Sequence, residues 1–414
     1  MEKLKNVPVL RFPEFKGEWE KKKLGDVTKI SSGGTPSRNN SAYWGGNIPW
    51  VSTTLIDFTT IYKSEEYITK EGLKNSSAKV YPVGTLLMAI YGQGKTRGKV
   101  ALLGIEATTN QACLAIIPDK EKLKEVFLFQ NLAGRYNEIR NLSNQGGQEN
   151  LSGELIKNVF IIFPTLEEQY KIGSLQTAID DKIQALKKKK TLLEQYKKGV
   201  MQKIFSQELR FKDDNWKEFP KWGYKPINKL DIYISDGNYG EKYPKSSEMK
   251  SIGIPFIRAN NIKDLKLVWD DMRFIDKELH SCLTSGHLRT NDILITTRGE
   301  IGMLAIVTDE FDGSNINAQI CLLRTSHGLN SFYLLQYLSS NYGKKQFKEL
   351  QTGTALKQLP RNNLGKLKIK LPSIEEQTKI ASFLSSIDEK INLCSTQIEK
   401  TEQYKKGLLQ KMFV

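Results

Sequence analysis

Apolar positions along the chain fall into two kinds of pattern. Short runs such as Leu86 to Tyr91, Val100 to Leu103, Cys113 to Ile117, Ile293 to Thr297 and Cys321 to Leu323 are dense in aliphatic residues and bounded by Gly, Asn, Ser and Thr clusters. They predict short buried strands joined by long polar loops. Elsewhere the spacing lengthens to threes and fours. Ile172, Leu175, Ile179, Ile183, Leu186, Leu193, Tyr196, Val200 and Ile204 form one apolar stripe; Ile380, Phe383, Ile387, Ile391, Cys394, Ile398, Tyr404, Leu408 and Met412 form another. That period predicts two long helices. Each starts on the same local signal, a proline (Pro164, Pro372) followed by Thr165-x-x-Glu168 or Ser373-x-x-Glu376, a capping box directly after a residue that cannot continue a helix. Further helical spacing near Lys122 to Asn141 and Phe332 to Leu350 predicts a helix closing each β-rich region.

The two stripes belong to a tandem duplication. FPTLEEQYKIGSLQTAIDDKIQ from Phe163 matches LPSIEEQTKIASFLSSIDEKIN from Leu371, and EQYKKGVMQKIF from Glu194 matches EQYKKGLLQKMF from Glu402; about 20 of 44 aligned positions are identical. Weaker echoes lie upstream: LRF at Leu10 and Leu209, IPWV at Ile48 against IPFI at Ile254, and VGTLLMAI at Val83 against NDILITTR at Asn291. The expected fold is therefore α+β, two globular regions and two long antiparallel helices arranged as a pseudo-twofold internal repeat. The expected boundaries are 1–163, 164–206, 207–371 and 372–414. A helix of that length spans about 60 Å, more than one compact domain covers, so the simplest burial sets one stripe against the other. A helix packed on its own domain is the alternative.

Composition narrows the partners. Lys plus Arg number 62 against 46 Asp plus Glu, a formal charge of +16, which favours a polyanion such as nucleic acid. Apolar residues make up 39% of the chain, enough for packed cores. The start MEKLKNVPVL carries no apolar leader and no run is long enough for a bilayer, so a cytoplasmic protein without a membrane partner is expected. Cys113, Cys282, Cys321 and Cys394 are scattered, and His280, His287 and His327 complete no metal spacing, so neither a disulfide framework nor a metal site is expected.

One catalytic motif needs weighing. AIYGQGKT, from Ala89 to Thr96, satisfies a relaxed phosphate-loop pattern with Lys95 and Thr96 at its end. The residues that follow alternate like a strand instead of opening a helix, and the second half carries TTRGEIG at this point. The better reading is a glycine-rich turn that carries Gln93, Lys95, Thr96 and Arg97 outwards. No nucleophile elbow, H-E-x-x-H, dinucleotide fingerprint or Asn-Pro-Pro-aromatic motif is present, so no catalytic residue is assigned. The loops are instead rich in groups that read bases or grip phosphates. In the first half these are Ser32, Thr35 and Arg38, the turn from Gln93 to Arg97, and Gln145 and Gln148. In the second half they are Asn238, Tyr239 and Lys242, then Arg258 and Asn260, then Thr297 and Arg298, and Lys357 and Gln358. Arg97 and Arg298 are the foremost candidates for base or phosphate contact.

The opening VPVLRFPEFKGEWEKKKLGDV, the ISSGGTPSRNNSAYWGGNIPWVS stretch and the two PxxEEQxKI helices resemble the specificity subunit of type I restriction-modification systems over essentially the whole chain. The resemblance implies that each globular region is a target-recognition domain reading one half of a bipartite, asymmetric DNA site. It also implies that the helices form the spacer between them. Two modification subunits would carry S-adenosylmethionine and methylate adenine, and restriction subunits would use ATP and Mg; this chain would hold no cofactor and be non-catalytic. The second half lacks the SGGTP loop and carries SDGNYGEKYPK, so loop residues do not transfer from half to half. The competing reading is a coiled-coil scaffold or a nucleic-acid binder without sequence preference.

Overall fold

The computed structural model describes residues 6–92, 95–142, 150–239 and 243–414. The chain divides into two compact units, residues 1–187 with 396–414 and residues 188–395. In the first, a five-stranded sheet has the order Thr28–Ser32, Cys113–Pro118, Leu86–Ala89, Val100–Leu103, Thr60–Ile61. Its pairs are antiparallel except the last, where Thr60–Ile61 runs parallel to Val100–Leu103. Leu86–Ala89 is buried along its whole length because both sheet faces are covered. Leu86, Met88, Leu114 and Ile116 face a core with Phe127, Leu128 and Ile172, while Leu87, Ala89, Cys113 and Ala115 face a second core with Val51 and Ile56. That two-sided burial explains the unbroken apolar runs in the sequence. A three-stranded sheet (Glu66–Ile68, Trp44–Val51, Thr108–Thr109) and the helices Glu125–Gly134 and Tyr136–Asn141 complete the unit's framework.

The second unit repeats the plan. Its main sheet has the order Ile232–Asp236, Ile320–Thr325, Ile293–Thr296, Leu304–Ile306, all antiparallel. A three-stranded sheet joins Arg273–Ile275, Ile254–Ile257 and Asn315–Ile316, and the helices Ser331–Ser339 and Asn341–Leu350 stand where the first unit has its pair.

The long helices run Leu166–Ser206 and Ile374–Met412. Their apolar stripes are not buried mainly on one another, which corrects the simplest expectation from periodicity. Ile172, Ile179 and Ile183 enter the first unit's globular core beside Phe127, and Leu408 and Met412 of the other helix join it there. In the second unit Ile380, Leu384 and Ile387 pack with Tyr333, Tyr337, Met201, Ile204 and Phe205. Each unit therefore takes the first half of one helix and the last turns of the other, and each half-helix is covered by its domain. Tyr196 and Tyr404, counted in the stripes, are 53% and 59% exposed.

Repeated residues make repeated bonds. Asp180 accepts from Gln130 Nε2 at 2.8 Å and Lys405 Nζ at 2.6 Å; Asp388 accepts from Gln336 Nε2 at 2.7 Å and Lys197 Nζ at 2.6 Å. In the first unit Lys187 also meets Glu402 at 2.7 Å, so a later residue of one helix faces an earlier residue of the other and the segments are antiparallel. Gln169 Nε2 donates to the Lys122 and Pro164 carbonyls, and Gln377 Nε2 to those of Gly328 and Pro372. Each glutamine thus ties its helix start to the loop that enters the preceding helix. At the second helix Ser373 Oγ accepts from Glu376 N at 3.3 Å as a capping box requires, but the carboxylates of Glu168 and Glu376 depart from it and take the forked guanidinium groups of Arg11 and Arg210, the arginines of the two LRF echoes. The glutamates fix the start of each repeat to its long helix. Among the described residues no helix is long and apolar enough to cross a membrane.

Candidate nucleic-acid interface

In each unit three polar segments converge at one end of the strands of the main sheet. In the first unit they follow Thr28–Ser32, follow Leu86–Ala89 and precede the helix Gly153–Lys157; Leu151 N donates to Ile90 O at 3.0 Å and joins the last two. In the second they follow Ile232–Asp236, follow Ile293–Thr296 and precede Arg361–Leu364, and Leu359 N donates to Thr297 O at 2.9 Å. The matching bonds place Ile90 with Thr297, Tyr91 with Arg298, and Asn150 with Gln358, which shifts by one residue the register of the VGTLLMAI and NDILITTR echo. One backbone frame therefore carries different side chains in the two halves.

The first unit's frame is braced by aromatics. The Arg38 guanidinium lies 3.7 Å from the Trp44 ring centre and 4.9 Å from that of Trp50, and both its arms bond Glu66. Those hydrogen bonds, with the guanidinium charge behind them, hold the Glu66 carboxyl below its ordinary value. Trp50 Nε1 donates to Gly34 O at 3.0 Å and pins the glycine loop. Thr35 Oγ1 donates to Gln111 Oε1 at 2.5 Å; Ser32 is exposed, with its carbonyl accepting from Tyr81 Oη. Lys95 is exposed and Thr96 half-buried, but Arg97 is only 8% exposed, which corrects the expectation that it projects outwards. Tyr136 Oη donates to Lys95 O at 2.6 Å, so the adjoining helix holds this turn down. The strand Val100–Leu103 follows, and no helix opens there to receive a phosphate. Gln93, Gln145, Gln148 and Lys242 lie outside the described residues.

The second unit brings Tyr239, Thr297, Arg298 and Gln358 around one cleft of about 310 Å³, together with Asp236, Cys321 and Arg361. The Arg298 guanidinium stands 5.3 Å from the Tyr239 ring centre, and Tyr239 Oη donates to Ala318 O at 2.8 Å. Burial, and after it the Asp236 charge, raises the Tyr239 phenol above its ordinary value, while Arg298 acts the other way. The hydroxyl is thus held as a donor. Arg361 Nη1 meets Asp236 Oδ1 at 3.3 Å. Thr297 is buried and its hydroxyl bonds Gln319 O, which corrects its placement among outward-facing groups. Lys357 and Gln358 are exposed.

The other candidates are drawn into internal contacts. Asn238 Oδ1 accepts from Thr284 and Ser285, so it anchors one loop to another. Arg258 Nη2 donates to Asp271 Oδ2 at 2.8 Å, and Asn260 Nδ2 reaches the same oxygen at 3.4 Å. The hydrogen bond from Arg258 lowers the Asp271 carboxyl. The sequence reading missed Arg361 and Asp236. Arg361 follows Leu359-Pro360 just past the QTGTALKQ loop, and the repeat alignment of that loop is the signal that finds it. Among the described residues no group of three or more His, Cys, Asp and Glu is placed to hold a metal ion.

The thiols make a direct check on burial. Cys113 and Cys321 are fully buried, and burial pushes each thiol up to about 12; Cys282 is exposed. Thiolate is the reactive form. Iodoacetamide at pH 8 is therefore expected to alkylate the folded chain at Cys282 and to spare Cys113 and Cys321 until denaturant is added, read by peptide mass spectrometry. Early modification of Cys321 contradicts the closed floor of the cleft.

The type I restriction modification DNA specificity domain matches residues 16–195 and again 231–403. The specificity subunit of the MjaIX type I restriction enzyme of Methanocaldococcus jannaschii is 26% identical over 411 residues, covering 95% of this chain and 92% of that protein. The EcoBI specificity subunit of Escherichia coli is 24% identical over 333 residues, covering 74% and 69%. Among solved structures, the S subunit of a type I restriction-modification system from M. genitalium superposes with a TM-score of 0.66 at 14% identity, covering 99% of each chain, which shows a shared fold.

Proposed function

The chain belongs to the type I restriction-modification DNA specificity family, and we propose that its two units read the two unlike halves of one bipartite DNA site. It is the DNA-specificity subunit of such a system, related along nearly its full length to other specificity subunits. The observation that carries the finer reading is the duplicated three-segment frame with divergent side chains: Tyr91 and Asn150 in one unit, Arg298 and Gln358 in the other. A repeat of the frame calls for two half-sites; divergence at the reading positions makes them differ in sequence. The charge of +16 supplies phosphate attraction and counterion release. In this reading the chain is non-catalytic. Modification subunits bring S-adenosylmethionine and methylate adenine, and restriction subunits bring ATP and Mg.

The test is to express the chain with a partner methyltransferase in a methylation-free host and map modified adenines by single-molecule sequencing. A bipartite asymmetric motif that disappears without this chain is expected, and exchanging residues 207–371 for those of a relative should change one half of it. Binding of the purified complex should fall with salt along a line in log–log form, by about 0.9 per phosphate contact. Methylation without a motif, by a soluble and associated complex, sinks the reading and favours a scaffold.

A further inference from the structure

We infer that Arg298 reads a guanine in the half-site of the second unit, with Tyr239 as the positioning residue that holds its guanidinium in the reading pose. The inference rests on the proposed function and deepens it to one base and one side chain.

Four arginines occupy the candidate reading segments, and their surroundings separate them. Arg38 is stacked on two tryptophans, but both of its arms are taken by Glu66. Arg97 is buried. Arg258 is held by Asp271. Arg298 is exposed, and among the described residues no carboxylate or carbonyl occupies its fork. Its guanidinium carbon lies over the Tyr239 ring, 5.3 Å from the ring centre, and among the described residues its N–H groups make no hydrogen bond. The ring is itself fixed, because Tyr239 Oη is bonded to Ala318 O at 2.8 Å. The next residue, Gly299, has φ +73° and open space where a Cβ would stand, so the backbone bends directly after the arginine. An arginine held over a fixed ring with its N–H groups open loses little freedom on binding.

The chemistry then selects the base. A guanidinium fork is donor-only and matches two adjacent acceptors. In the major groove guanine presents N7 and O6, whereas adenine pairs N7 with a donor, cytosine presents a donor, and thymine offers one acceptor beside a methyl group. The neighbouring Arg361 is differently placed, with Asp236 at 3.3 Å. In the first unit the equivalent frame position holds Tyr91, so this contact belongs to one half-site only.

The test uses the complex with the methyltransferase. Once the wild-type motif is mapped, Arg298→Ala should make one guanine position in one half-site degenerate, lowering discrimination there by about tenfold to a hundredfold, and leave the other half-site as it was. Arg298→Lys keeps the charge without the fork and should relax the same position. Tyr239→Phe keeps the ring but loses its bond to Ala318 O and should relax that position only partly, while Tyr239→Ala should relax it as fully as Arg298→Ala does. In binding measurements on the mapped duplex, 7-deazaguanine at that position removes the N7 acceptor and should weaken the wild-type complex but not Arg298→Ala. An unchanged motif in Arg298→Ala, full discrimination in Arg298→Lys, or a loss uniform over all sequences each overturns the inference, the last by making Arg298 a phosphate contact. A wild-type complex that methylates without a motif overturns the proposed function instead, so the two failures are distinguishable.

Discussion

Replacing Arg210 by alanine is expected to destabilise the second unit by about 3–5 kcal/mol, the range found when one partner of a buried ion pair is removed. Glu376 has no exposed surface, and its carboxylate is met by Arg210 Nε at 3.1 Å, Arg210 Nη2 at 2.7 Å and Trp222 Nε1 at 2.8 Å. Truncating the arginine leaves a buried anion with the indole as its remaining side-chain donor. The cost comes from that stranded charge, so Arg210→Met combined with Glu376→Leu should lose less than the single substitution. Arg11→Ala should act likewise in the first unit, where Arg11 bonds Glu168 with both contacts at 2.7 Å and Glu168 is 1% exposed. Urea unfolding of the intact chain, followed by tryptophan fluorescence, reads both effects. A loss below about 1 kcal/mol for Arg210→Ala shows that water or another donor replaces the guanidinium and that the pair does not anchor the repeat.

The elements legible in the sequence were those whose signal is local. Val100–Leu103 forms a strand over the residues expected of it, and both long helices start just after the predicted prolines. Propensity and caps act within one turn, so periodicity records them. What covers an apolar face depends on the rest of the chain. Ile172 and Ile380 marked their stripes correctly, but the partners of those stripes are domain residues such as Phe127 and Tyr333. The candidate site shows the same division. The loops, and Arg97 and Arg298 within them, could be named from the sequence, whereas which of the named arginines keeps a free fork could not. Glu66 lies 28 residues from Arg38 and Asp271 lies 13 from Arg258, with no periodic relation linking either pair. The burial of Arg97 is set by tertiary packing of the turn; Gly98 beside it sits close against Arg140 of the helix Tyr136–Asn141. Glu168 and Glu376 show a local rule overridden: the capping pattern marks the correct helix start, but a distant arginine takes the carboxylate.

Gly237→Ala is expected to lower modification by the complex sharply while leaving most of the chain's stability intact. Gly237 follows the strand Ile232–Asp236 and opens the segment that carries Asn238 and Tyr239. A methyl group there would overlap the Ile316 and Asn317 backbone carbonyls. Those atoms are held in the body of the unit, Ile316 in a strand pair and Asn317 N by the Ile257 carbonyl, so the exposed segment is the part able to move. Overpacking of this kind costs about 1–3 kcal/mol. Movement of the segment displaces Tyr239 from beneath Arg298 and opens the cleft. Gly33 is its counterpart: a Cβ would overlap Thr109 and Asn110, and Gly33 N bonds Cys113 O at 3.3 Å as Gly237 N bonds Ile320 O at 3.4 Å. If both half-sites must be read before an adenine is modified, either substitution alone lowers methylation at the mapped motif by about fivefold to a hundredfold, the factor to which 1–3 kcal/mol corresponds. Gly223→Ala, whose Cβ meets Leu371 at an ordinary 3.8 Å, should leave methylation unchanged. A Gly237→Ala complex that assembles and methylates the wild-type motif at the wild-type rate shows that the segment yields without moving Tyr239, and removes the close glycine packing as the reason the two reading frames coincide.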